Sequence, residues 1–308
     1  MFTRLVRSAV LGLLVAFAVG CGNQESGTPT AAVNANTPDA TIRKSADLMK
    51  QGDIAHLLEN ALPPAEFAKL KTEWGKDKDE KPVTDEDRQK FAEAMSRLTA
   101  PNAEQTIYAE IEPQLKQFDA QYQQQIPMYV AMGSGWLQGM VQQNKDLSDA
   151  DKQQAVAAIN AVAAWVQKTR FTDPDSVKKV LAIASRTARE LNLKTLDEAR
   201  ALDFDQAMQR GRVAMLGFKD ALNVYGFSLD QTLDSIKPEV LNNDGKTAQV
   251  KVSYTLLGTP LVSTAQMVNV DGRWYGKDTI DKMKEAADNA AKGDVTAPAP
   301  EAPPPAKG

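Results

Sequence analysis

The chain has 308 residues, with 36 Lys and Arg against 40 Asp and Glu, one His and one Cys. A net charge of −4 excludes broad nucleic-acid binding; the single His and Cys exclude zinc ribbons, His-triad metal sites, Cys–His nucleophile pairs and an intrachain disulfide. A hydrophobic share of 43% suffices for one or two buried cores and excludes wholesale disorder.

Residues 1–20 read as a signal peptide. Arg4 and Arg7 precede an uncharged run from Ala9 to Gly20, which is too short to span a bilayer. The run ends Ala18-Val19-Gly20-Cys21, which resembles the lipobox of bacterial lipoproteins. A chance or structural Cys is the alternative, but the only Cys falls where lipidation needs one. The resemblance implies that Cys21 becomes the first mature residue and carries three acyl chains of the palmitate kind. Two or more chains hold a protein firmly, since each buried CH₂ contributes about 0.8 kcal/mol. Gly22 stands where an Asp retains enteric lipoproteins at the inner membrane, so the resemblance implies a periplasm-facing outer-membrane lipoprotein. Removal of residues 1–20 takes away two arginines and no acid, which makes the charge (36 − 2) − 40 = −6.

Residues 21–39 are small, polar and Pro-containing, as in a flexible tether. Residues 40–226 form the expected helical region. Thr84 with Asp87, and Ser148 with Asp151, have capping-box spacing; Asp173-Pro174 is an N-cap followed by Pro at the first helical position. Ala155, Ala158, Ile159, Val162, Trp165 and Val166 make one apolar stripe, and Val177, Val180, Leu181, Ala184, Ala188 and Leu191 another. A helix opening at Asp205 carries Met208, Gly211, Met215, Phe218, Leu222 and Tyr225, and stops at Gly226. Apolar residues on its other side predict burial on more than one face.

Residues 227–293 are expected to form an antiparallel sheet with a helix packed on it. Ala248, Val250, Val252, Tyr254 and Leu256 alternate with polar residues. Asn243-Asp244-Gly245 and Asp271-Gly272 are hairpin signals. The strands are predicted near 236–241, 247–257, 261–270 and 273–276. A bulge is predicted near Met267–Val268, and the even-numbered face of the second strand should meet the Asp205–Tyr225 helix. Residues 294–308 are rich in Pro and Ala, the composition of a disordered tail. The fold class is therefore α+β: a mostly helical body, then a meander of three or four strands and a final helix. The closing Val270-Asp271-Gly272-Arg273-Trp274-Tyr275 resembles the last hairpin of a cystatin-like roll of the nuclear-transport-factor-two superfamily. That superfamily holds both enzymes and binders, so the resemblance implies a fold and no function.

Chemistry-bearing motifs are sparse. His56 lies off its apolar face and suits capping or solvent better than base catalysis. The clusters Asp77/Asp79/Glu80, Asp85/Glu86/Asp87 and Asp203/Asp205 suit helix starts better than a carboxylate pair. Pro127–Val141 combines Tyr129, Met132, Trp136 and Met140 with a Gly135/Gly139 spacing. It suits either a partner- or membrane-contacting surface or a tightly packed core helix with a Gly-rich bend. Lys178, Lys179, Arg186 and Arg189 share one side of their helix, as an anion-binding surface or a solvated face would. The reading is a non-catalytic binding module for a protein or envelope component, without cofactor or metal. The alternatives are a carrier of a small apolar ligand, with a pocket lined by Met215, Phe218 and Tyr254, and an enzyme without a recognisable motif.

Overall fold

The computed structural model describes residues 36–76, 83–145 and 147–292. Cys21, the signal segment, the Asp77/Asp79/Glu80 cluster and the Pro-rich tail lie outside them. The helices are α1 (Pro38–Gln51), α2 (Ile54–Ala61), α3 (Pro64–Glu73), α4 (Asp85–Thr99), α5 (Ala103–Gln143), α6 (Asp149–Lys168), α7 (Pro174–Leu191), α8 (Leu196–Ala201), α9 (Phe204–Val224) and α10 (Leu229–Asp234). The strands β1 (Lys237–Asn243), β2 (Thr247–Leu256), β3 (Thr259–Val270) and β4 (Arg273–Gly276) follow, then α11 (Lys277–Lys292). The fold is α+β, a helical body followed by an antiparallel meander of order β1-β2-β3-β4.

Local chemistry sets the helix starts. Thr84 and Asp87 form a reciprocal capping box, and Ser148 and Asp173 accept from the amides of Asp151 and Ser176. α9 begins one residue before expectation because Asp203, not Asp205, caps it, in a box with Gln206. α1 begins at Pro38 under a Thr37 cap, inside the span expected to be tether.

The meander turns at residues of positive φ: Gly245, Leu257-Gly258 and Asp271-Gly272. The Leu257-Gly258 turn carries no Asn or Asp signal, which is why the sequence leaves that hairpin loose. The register irregularity falls in β1, between Val240 and Asn242, not at Met267–Val268. β3 pairs with β2 without a break there. Its apolar pattern changes face for another reason: Met267 and Trp274 point to the inner core, whereas Tyr275, paired with Val268, is buried on the other face, where α11 packs.

The even-numbered face of β2 is covered, as expected, but by a different helix. Ala248, Val250 and Val252 form a core cluster with Met267, Trp274 and Ile42 of α1. α1, from the far end of the chain, lies on β1, β2 and β4. A second cluster joins Leu58, Leu70 and Phe204, with Phe67 and Trp74 edge-on to the Phe204 ring at 5.7 and 5.5 Å.

Candidate binding site

Where the Asp205–Tyr225 helix was expected to meet the sheet, there is instead a cavity of about 780 Å³. One wall is α6, through the stripe Ala155, Ala158, Ile159, Val162 and Val166. Val130, Gly133, Ser134, Leu137 and Met140 of α5 form the wall beside it. Met215 of α9, Leu229 and Leu233 of α10, and Val252 and Tyr254 of β2 close the rest. The space follows from side-chain size. Ala155, Ala158, Gly133 and Ser134 are short, so the walls they form leave volume between them unfilled.

The aromatic end of the cavity is held firmly. Trp165 Nε1 donates to the Tyr225 carbonyl at 2.8 Å, and its ring meets Phe171 and Phe227 edge-on. This ties the end of α6 to the end of α9 and places Phe227 in the wall. The α5 side is the mouth, since Leu137 and Met140 line the cavity yet remain exposed.

Among the few polar side chains of the wall, Lys219 and Tyr254 bear most on what it can hold. Lys219 is only 6% exposed; its ammonium donates to the Lys50 carbonyl and lies 2.5 Å from Asp230 Oδ1. Its charge is therefore compensated within the wall, which favours an uncharged ligand or an acyl chain over a free anion. Tyr254 is half-buried, and burial pushes its phenol above the ordinary range, so it stays protonated and can donate. Few polar groups in a largely apolar cavity of 300–1,000 Å³ is the usual make-up of a small-molecule site, at roughly that size.

Of the three residues expected to line a pocket, Met215 and Tyr254 do and Phe218 does not. Phe218 is 57% exposed, because α9 packs on α7 through Gly217 and leaves that flank outside. Lys219, Leu229, Leu233 and the α5 wall escaped sequence reasoning. Lys219 had a signal, a lone cation four residues after Met215 on an apolar face.

The other expected residues separate clearly. Tyr129, Met132, Trp136 and Met140 are exposed on one continuous helix. A Cβ on Gly133, Gly135 or Gly139 would meet nothing within 4 Å, so neither a core helix nor a small-residue helix crossing is found there. The cationic side of α7 is largely engaged within the protein. Lys178 sits over the Tyr108 ring, Arg186 pairs with Asp220, and Arg189 donates to the Ala100 carbonyl; Lys179 is exposed. His56 is an exposed member of the α2 cap, its Nδ1 2.7 Å from Asp53. Asp85, Glu86 and Asp87 occupy the first turn of α4, while Asp203 caps α9 and Asp205 pairs with Lys71. Among the described residues no group of three His, Cys, Asp or Glu is placed to hold a metal ion, and no helix is long and apolar enough to cross a membrane. A second cavity, of about 420 Å³ between α4 and α7, is smaller and bordered by Arg189 and Lys194.

No known protein-family profile, curated protein or solved structure matches the chain. Geometry therefore carries the functional argument.

Proposed function

We propose that this chain is a non-catalytic binding protein of the bacterial envelope, anchored through acylated Cys21, whose body holds a small apolar molecule in the cavity between α5, α6, α9 and β2. The observation that carries the proposal is the 780 Å³ cavity with its apolar walls and compensated cation. The lipobox-like Ala18–Cys21 supports the anchor, and Gly22 in place of an inner-membrane retention Asp favours an outer-membrane position. The carrier reading is thereby favoured over a protein-partner module, which would need no interior space.

The test is titration with the uncharged fluorescent probe phenylnaphthylamine. The parent chain should bind it saturably. Ala158→Phe and Val162→Phe, which fill the cavity from α6, should abolish binding while the far-UV circular dichroism is kept. Undiminished binding by both folded variants rejects the proposal.

A further inference from the structure

The C-terminal half of α5 is apolar on two adjoining faces. At 100° per residue, Met128, Met132, Trp136, Tyr129 and Met140 fall within an arc of about 120°. The cavity wall, from Met140 through Leu137 and Val130 to Ser134, fills the next arc of about 120°. Met140 belongs to both. The outer arc is bare: Met132 and Trp136 are each 65% exposed. Residues 120–144 contain no Asp, Glu, Lys or Arg, in a chain with 25% charged residues.

We infer that this outer face of α5 docks on a lipid bilayer and sets the cavity mouth against it, so that the molecule taken into the cavity is the acyl chain of a membrane lipid. The ligand half of this inference rests on the cavity reading above; the docking half does not.

Three features select a bilayer as the occupant. Trp and Tyr have an apolar ring and a polar tip, which suits the headgroup boundary, and the unbranched Met side chains adapt to fluid hydrocarbon. The polar residues of this stretch are uncharged, chiefly Gln, so the face offers a protein partner no ion pair, whereas hydrocarbon needs none. Chain length also fits. Cys21 stands 15 positions before Asn36, a span of at most about 50 Å. Met49, in the last turn of α1, lines the cavity, and α1 is only about 21 Å long. A body tethered so closely needs little affinity to stay docked, because the encounter is intramolecular. The docking face carries no charge and the chain is acidic overall, so cationic attraction to headgroups plays no part and binding should be indifferent to salt.

The experiment uses the chain from residue 21 onward bearing Cys21→Ser, which removes the covalent anchor; the described elements begin at Pro38, so all of them are retained. Sedimentation with phosphatidylethanolamine–phosphatidylglycerol vesicles should show binding that persists at high salt. Met132→Gln combined with Trp136→Gln should weaken it by about tenfold or more, while probe binding in solution is unchanged. Ala158→Phe should keep vesicle binding and lose uptake of a fluorescent acyl chain from the vesicles. Absent vesicle binding, or binding that the double substitution leaves intact, overturns the docking face. Self-association abolished by the double substitution, without vesicle binding, overturns it in favour of a second copy. Vesicle binding with no acyl uptake by the parent leaves the face standing and overturns the ligand.

Discussion

The ammonium of Lys219 lies 2.5 Å from the Asp230 carboxylate, but the two side chains differ in exposure, at 6% and 46%. Loss of either partner therefore has a different cost. Asp230→Ala leaves a buried ammonium with the Lys50 carbonyl as its remaining partner, and should destabilise by about 1–3 kcal/mol. Lys219→Met leaves a carboxylate whose side chain is 46% exposed although its Oδ1 is buried, and should cost less, about 1 kcal/mol. Urea denaturation of both variants reads the difference. A larger loss for Lys219→Met would show that the ammonium, not its compensation, holds α9 against α10.

The close approach of α9 to α7 depends on Gly217, and the Gly-rich stretch of α5 makes no such approach. A Cβ on Gly217 would stand 2.2 Å from Thr187 Oγ1 of α7, whereas one on Gly135 meets nothing within 4 Å. Gly217→Ala should destabilise by about 1–3 kcal/mol through overpacking. Gly135→Ala, in an exposed helix interior, should stabilise by about 0.5–1 kcal/mol. Thermal denaturation of the two variants should move in opposite directions.

Asp119 fastens α5 to the segment before α7. The Arg170 guanidinium and the Thr172 hydroxyl both donate to its carboxylate, and they hold its pKa down to about 2, from an ordinary 3.8. A carboxylate whose pKa is lowered on folding contributes stability that is complete above the unfolded value and lost as pH falls through the folded one. The stability difference between the parent and Asp119→Asn should thus be constant above about pH 4 and shrink between about pH 4 and pH 2. Denaturation across that range checks it. A difference that grows on acidification would contradict the assignment.

Several parts of this architecture are legible in the residues themselves. Thr84, Ser148 and Asp173 cap where their spacing says they should, because capping is settled within four residues. The alternation of Ala248, Val250 and Val252 identifies the buried face of β2, since the strand period is fixed by backbone geometry. What meets that face is not legible. Ile42 reaches it from over 200 positions away, and no local pattern encodes that pairing. The cavity was legible only in part. Met215 and Tyr254 were placed on its wall, but empty space is a property of four elements meeting, and no single stripe reports it. Phe218 shows the converse: its apolar spacing suggested burial, and Gly217 beside it decided which flank of α9 turned inward.

The seam between α1 and the sheet has a consequence for the order in which this chain can fold. The Asn36 side-chain Nδ2 donates to the Gly272 carbonyl across 236 positions, and Ile42 shares its core cluster with strand residues that include Val250, Met267 and Trp274. Contacts of such high sequence separation form late, because a long loop must close before they are rewarded. A nascent chain can pair α1 with α2 early, through Asn60, but the sheet-facing side of α1 stays uncovered until the last strands have emerged, so that part of the core cannot lock part-way through synthesis. For the exported lipoprotein proposed above, that delay suits a polypeptide that must be threaded through a membrane before it becomes compact.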